Sequence, residues 1–204
     1  MKPVNYVVSG IWTRRNKMNP SQITDWCHQI IRSVAKKDGL YIDATMGKGH
    51  DTKLLCELAG EQGSVLAFDI QPEAVHATEN LLQKEGLQGR ATLLLTGHEH
   101  MDEYAQTESA DVICFNFGYL PGGDHAIATK TQTSLEAIEK GLNLLKHGGM
   151  MSLCIYSGGD TGFEEKDAIL QYVKELNPKE YTVIVNEYYN RENNPPIPVF
   201  IFKR

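Results

Sequence analysis

Asp43, Asp51 and Asp69 are three acids spaced around a glycine turn. Carboxylates in that pattern suit a ligand that carries positive charge and ribose hydroxyls. The turn reads Asp43-Ala44-Thr45-Met46-Gly47-Lys48-Gly49-His50-Asp51-Thr52. It follows the apolar run Leu40-Tyr41-Ile42 and precedes Leu54, Leu55, Cys56 and Leu58, so it predicts a strand, a tight turn and a helix start. Gly47 and Gly49 let the backbone turn sharply and approach a ligand that any Cβ would push away. A dinucleotide fingerprint requires a third glycine three residues after the second. That place holds Thr52, preceded by Asp51. An acid at a helix start repels a pyrophosphate but suits an ammonium and a sulfonium, the charges of S-adenosylmethionine (SAM). Asp43 adds a second acid at the end of its strand. The next strand, Val65-Leu66-Ala67-Phe68, ends in Asp69. That acid lies about 20 residues past the turn, where a carboxylate accepts hydrogen bonds from ribose hydroxyls. The departure from the dinucleotide pattern favours SAM over NAD. Asp43, Thr45, Gly47, Gly49, Asp51, Thr52, Asp69 and the neighbouring Ile70 are therefore the expected cofactor residues.

A second group lies on a later strand, Asp111-Val112-Ile113-Cys114-Phe115-Asn116-Phe117, which runs into Gly118-Tyr119-Leu120-Pro121-Gly122-Gly123-Asp124-His125. In open α/β sheets ligands bind beyond the carboxyl ends of the strands, where the strand order reverses, so this loop faces the glycine turn. Asn116-Phe117-Gly118-Tyr119 resembles the Asn-Pro-Pro-Tyr motif of amino-methylating enzymes, with both prolines absent. The resemblance implies that the amide oxygen of Asn116 accepts a hydrogen bond from the target nitrogen and that the Tyr119 ring stacks on a base. Methyl transfer needs a free nitrogen lone pair aligned with the methyl carbon. An aliphatic amine must first lose a proton, which Asp124 and His125 are placed to accept. The alternative is that this pair is a solvated acid beside a surface histidine. The expected catalytic set is Asn116, Tyr119, Asp124 and His125, with Asn116 also touching the cofactor.

Strands and helices alternate along the whole chain, which predicts an α/β sheet. Asn19-Pro20 opens a helix whose apolar face is Ile23, Trp26, Cys27, Ile30, Ile31 and Val34. Strands are predicted near 40–44, 65–69, 91–95, 110–117, 150–156, 181–188 and 197–202, with helices near 51–60, 72–85, 129–146 and 163–176. Only eight residues, 189–196, separate the last two strands. That is too short for a crossover helix, so those strands should be antiparallel. A parallel sheet with this ending resembles the class I methyltransferases: Rossmann-like, seven strands in the order 3-2-1-4-5-7-6, an antiparallel last strand and helices on both faces. That likeness implies an adenine contact just after the third strand, at His98 or Glu99. The His98-x-His100 spacing lacks a third clustered ligand, so no metal is expected. Ser157–Gly162 reads as a flexible rim loop, whereas Asn193-Asn194-Pro195-Pro196 reads first as a tight connection, with a rim role as the alternative.

A length of 204 residues suits one well-cored domain. No apolar run is long enough for a membrane span, and no signal-peptide core opens the chain. Four dispersed cysteines, Cys27, Cys56, Cys114 and Cys154, read as buried thiols of a reducing, cytoplasmic compartment. The net charge of −6 does not mark a nucleic-acid binder, but residues 1–40 hold seven basic side chains against two acids. That segment is either a phosphate-contacting face or an ordinary solvated one.

The glycine turn, Thr96-Gly97-His98-Glu99, Asn116 to His125 and the Asn-Asn-Pro-Pro ending together resemble the MnmM/YtqB family, from about residue 20 to the C-terminus. The resemblance implies a SAM-dependent enzyme that methylates the 5-aminomethyl group of 2-thiouridine at the tRNA wobble position. It implies a cytoplasmic homodimer whose partner is a tRNA anticodon stem-loop, with residues 19–204 as one methyltransferase domain and 1–18 as an extension. Methylation of rRNA or a small amine, and a non-catalytic module that holds an adenosyl ligand, are the alternatives.

Overall fold

The computed structural model describes residues 22–118, 129–157 and 159–204. Seven strands form one sheet: β1 (Leu40–Asp43), β2 (Ser64–Asp69), β3 (Ala91–Leu95), β4 (Ala110–Phe117), β5 (Leu145–Ile155), β6 (Tyr181–Val185) and β7 (Ile197–Lys203). Their order is β3-β2-β1-β4-β5-β7-β6, the one that the class I methyltransferase resemblance implies. Strand β7 runs antiparallel to both β5 and β6, and all the other pairings are parallel. The connection in the structure, residues 186–196, is still too short for a crossover helix, and Asn193 and Asn194 take left-handed φ values of 64° and 49° within it.

The helices are α1 (Ile23–Val34), α2 (His50–Ala59), α3 (Pro72–Lys84), α4 (Thr131–Leu144) and α5 (Gly159–Lys174). The sheet is buried on both faces. Ile23, Cys27 and Ile31 of α1, Leu54 and Leu55 of α2 and Leu82 of α3 pack with Tyr41, Val65, Val112, Cys114 and Phe200. On the other face, Ala137, Ile138 and Leu142 of α4 and Ile169 and Val173 of α5 pack with Ile42, Phe68, Ile113, Phe115, Phe117 and Ile201. Burying both faces removes the alternating pattern that would mark a half-exposed strand, so these strands read as continuous apolar runs.

Several boundaries differ from the sequence expectation. Leu145, assigned above to a helix, is the first residue of β5 and pairs with Ala110. The register then jumps to Val112–Met150, and Gly148, at φ 77°, turns the intervening residues out of the ladder. Helix α5 starts at Gly159, so much of the expected Ser157–Gly162 rim loop is helical. Strand β6 ends at Val185, three residues early, and a short 3-10 helix spans His98–Glu103 where a loop was expected. The Asn19-Pro20 helix start lies outside the described residues.

Candidate active site

Beyond the carboxyl ends of β1, β2 and β4 the three acids come together around the glycine turn. Gly47 and Gly49 have φ of 49° and 79°, the left-handed region that glycine adopts without a Cβ penalty. The space at Gly49 is taken by protein: a Cβ there would lie 2.8 Å from Thr78 Oγ1 and 3.0 Å from Thr78 Cα of α3. Gly49 therefore permits close packing of the turn on α3, the part played by a third glycine in dinucleotide sites. Thr78 Oγ1 also donates to the Gly47 carbonyl at 3.2 Å.

Asp43 is fully buried and ties the turn to its strand. One oxygen accepts from the Thr52 hydroxyl at 2.6 Å, and the other from the Thr45 N–H at 3.2 Å. The position that breaks the dinucleotide fingerprint thus supplies the hydroxyl that binds Asp43. Burial, then the neighbouring Asp51 charge, push the Asp43 carboxyl up to about 7 despite those two hydrogen bonds. Asp69 is braced by the Gly47 N–H and the Gln71 N–H, each at 3.0 Å. Beside it Ile70 is an exposed apolar side chain.

Asp51 lies in the first turn of α2, where the helix dipole favours an anion. Its Oδ1 is 2.6 Å from His28 Nε2, and its Oδ2 accepts from Asn116 Nδ2 at 2.8 Å. Burial works to raise the Asp51 carboxyl. The hydrogen bonds and charge of its neighbours, His28 foremost, outweigh burial and hold it below the ordinary range. Asn116 is the one residue of β4 that is not buried. Its backbone N–H donates to Thr45 Oγ1 at 2.7 Å, so the side chain and the backbone are both fixed by the glycine-turn segment. With the amide nitrogen committed to a carboxylate, the amide oxygen is left as an acceptor.

After β3, His98 is buried against Phe115 and Phe117, with ring centroids 5.8 Å and 6.3 Å away in edge-on geometry. Burial lowers its pKa, opposed by the Glu99 charge and by a hydrogen bond with the Ala44 backbone. Among the described residues Nε2 has no hydrogen-bond partner. The Glu99 carboxylate folds back over Gly97, where a Cβ would lie 2.2 Å from Oε2. His100 instead pairs with Glu103 at 2.9 Å, in different surroundings from His98. No group of three metal-ligating side chains occurs among the described residues.

Tyr119, Asp124 and His125 lie outside the described residues. Both ends of that loop are tied together: the Gly118 N–H donates to Thr129 Oγ1 at 2.9 Å, and the Thr129 N–H to the Gly118 carbonyl at 3.0 Å. Glu165 of α5, buried, accepts from Thr129 Oγ1 at 2.7 Å and Ser134 Oγ at 2.6 Å. His28 and Glu165 were missed in the sequence, because each is joined to its site only by tertiary folding. A cavity of about 150 Å³ lies between the start of α5 and the β6–β7 connection, lined by Ser157, Lys166, Tyr188 and Asn194 to Ile197. All four cysteines are buried thiols. Burial raises Cys56 to about 12 and Cys114 well above the ordinary thiol range, which argues against thiolate chemistry.

The acids fit SAM: Asp43 and Asp51 offer negative charge, Asp69 offers acceptors, and the unpartnered His98 Nε2 offers an acceptor for an amino group. Comparison with known proteins gives the same direction. Residues 65–202 match the family described as "Putative rRNA methylase". The chain is 33% identical over 190 residues to the tRNA (mnm(5)s(2)U34)-methyltransferase, chloroplastic, of Arabidopsis thaliana, covering 89% of this chain and 69% of that one. A solved "putative rRNA-methylase" from Clostridium thermocellum superposes with a TM-score of 0.86 at 40% identity, covering 89% of this chain and 97% of the other. A "putative methyltransferase" from Streptococcus mutans, solved in complex with SAH, gives a TM-score of 0.82 at 36% identity, covering 90% and 98%.

Proposed function

This chain belongs to the rRNA methylase family, and on that premise we propose that it methylates the 5-aminomethyl group of 2-thiouridine at the wobble position of tRNA. It is a SAM-dependent methyltransferase. The observation that carries the choice of a nitrogen acceptor is the Asn116 amide, whose nitrogen is held by Asp51 at 2.8 Å. An acceptor amine offers N–H groups, and the Asn116 oxygen is the atom to receive one and turn the nitrogen lone pair toward the methyl group.

SAM supplies an electrophilic methyl group carried on a sulfonium. Asp51 would face the cationic side of that ligand, with the buried Asp43 adding charge from behind the turn; Gly47 and Gly49 would shape the turn beside it, and Asp69 would accept from its ribose. Thr45 and Thr52 keep the turn and Asp43 in register. Ile70, His98 and Glu99 are the residues that would line the adenine, with His98 Nε2 the acceptor available to its amino group. Tyr119 stacks on the target base, and Asp124 or His125 takes the proton that the amine must lose. The anticodon loop presents unstacked bases, the form in which RNA is commonly read. The basic segment within residues 1–40 is the phosphate-contacting face on an otherwise acidic chain.

The same reading makes residues 19–204 one catalytic domain with 1–18 as an extension, working as a cytoplasmic homodimer. Among the described residues no helix is long and apolar enough to cross a membrane. Nucleoside analysis of tRNA from cells lacking the protein tests the acceptor. Accumulation of 5-aminomethyl-2-thiouridine is expected, and an unchanged wobble nucleoside would overturn the assignment.

A further inference from the structure

His28 belongs to none of the elements that build the nucleotide site, yet its ring reaches that site's central carboxylate. It projects from α1, and Nε2 lies 2.6 Å from Asp51 Oδ1. On the other side of the same carboxylate stands Asn116 Nδ2, 2.8 Å from Oδ2. Three side chains from α1, α2 and β4 therefore form one hydrogen-bonded chain, His28–Asp51–Asn116. Helix α1 is fixed independently of His28. Trp26 Nε1 donates to Asn186 Oδ1 at 2.9 Å, and Arg32 approaches Glu57 of α2 at 3.4 Å.

We propose that His28 is a positioning residue for methyl transfer, locking Asp51 so that Asn116 presents its amide oxygen to the acceptor nitrogen. This rests on the proposed amine acceptor. A carboxylate held by one donor alone can swing about its Cβ–Cγ bond; donors on both oxygens fix its plane. Fixing that plane fixes the Asn116 amide, because an ionised carboxylate accepts only from the nitrogen end. His28 is 21% exposed and Asp51 14%, so the pair is screened from most of the solvent.

The bland alternative is a clip between α1 and α2 that adds stability and nothing more. His28→Leu keeps volume without a donor, while His28→Gln keeps an N–H donor of similar reach. Glu57→Gln weakens the other α1–α2 contact as a control. Single-turnover rates, SAM affinity by calorimetry and exchange of the Asn116 side-chain amide protons by NMR are read on all three, in the full chain. His28→Leu should slow methyl transfer about 30-fold with SAM affinity held within about threefold, the size of effect that sub-ångström misplacement produces. His28→Gln should recover most of that rate, and Glu57→Gln should match the unaltered protein. The Asn116 amide protons should exchange faster in His28→Leu alone. An unaltered rate in His28→Leu, or equal loss in His28→Gln, would overturn the proposal. If the unaltered protein is inert on aminomethyl-bearing tRNA, the acceptor reading fails. The amide exchange then still decides the role of His28: unchanged exchange in His28→Leu overturns it.

Discussion

Asn116 Nδ2 lies 2.8 Å from Asp51 Oδ2, so the only incompletely buried residue of β4 is oriented by an acid of the glycine turn. The proposed cofactor side and the proposed acceptor side of the site are thereby one hydrogen-bonded unit. Asn116→Ala should cut turnover by about 100-fold, roughly 2.7 kcal/mol of barrier, while SAM affinity changes by less than about threefold. Rapid-quench turnover and calorimetry measure the two. Equal losses in both would move Asn116 to the cofactor side.

The buried Asp43, raised to about 7, predicts how SAM binding follows pH. A cationic ligand favours the ionised carboxyl, so binding expels the Asp43 proton wherever that proton is still bound. Affinity should therefore rise by up to tenfold per unit from about pH 5.5 to 7 and level off above, with proton release detectable by calorimetry in two buffers. SAH, which lacks the sulfonium charge, should show a weaker slope. In the unliganded protein the sign is opposite for folding. A raised carboxyl favours the folded state while protonated, and that contribution is lost as pH rises through 7. Asp43→Asn should flatten the affinity profile, and a flat profile in the unaltered protein would contradict the assignment.

Gly49 combines a left-handed φ of 79° with Thr78 Cα 3.0 Å from where a Cβ would lie. Gly49→Ala should cost roughly 2–4 kcal/mol in denaturant unfolding, from backbone strain and overpacking together. Adding Thr78→Ala removes the side-chain clash but not the strain, so it should restore only part of the loss. Full restoration would show that the φ carries no cost.

Glu165 ties α5 and α4 to the base of the 119–128 loop through Ser134 and Thr129. Glu165→Ala removes the acceptor of both hydroxyl protons, although Thr129 Oγ1 keeps the Gly118 N–H, and should destabilise the fold by roughly 2 kcal/mol. Methyl transfer should fall well beyond the change in SAM affinity, because the proposed acceptor-side residues Tyr119, Asp124 and His125 lie between Gly118 and Thr129 in the sequence. Calorimetry and turnover separate these; a loss confined to stability would make Glu165 a packing residue.

The glycine turn, its three acids and the reversed final strand were legible because each is local. Gly47, Gly49 and Thr52 sit at fixed offsets from a strand end, and eight residues cannot hold a crossover helix. Thr52 could be recognised as the break in the dinucleotide pattern, yet its bond to Asp43 could not, since the two are joined across the turn. His28 was hidden for a related reason. It adjoins Cys27 on the apolar face of α1, and nothing in its neighbourhood indicates that Asp51 lies 2.6 Å away. Glu165 resembled any helix acid until folding placed Thr129 and Ser134 against it. The start of β5 was misread because Leu145 completes the apolar stripe of α4 while Gly148 hides the register jump.

The central claim is methyl transfer to the wobble aminomethyl group, and purified protein with SAM and tRNA bearing 5-aminomethyl-2-thiouridine tests it most directly. Mass analysis of the digested nucleosides should show that base converted to 5-methylaminomethyl-2-thiouridine, with conversion lost in Asn116→Ala. A wobble base left unmethylated by the unaltered protein, with SAM bound, would contradict the account.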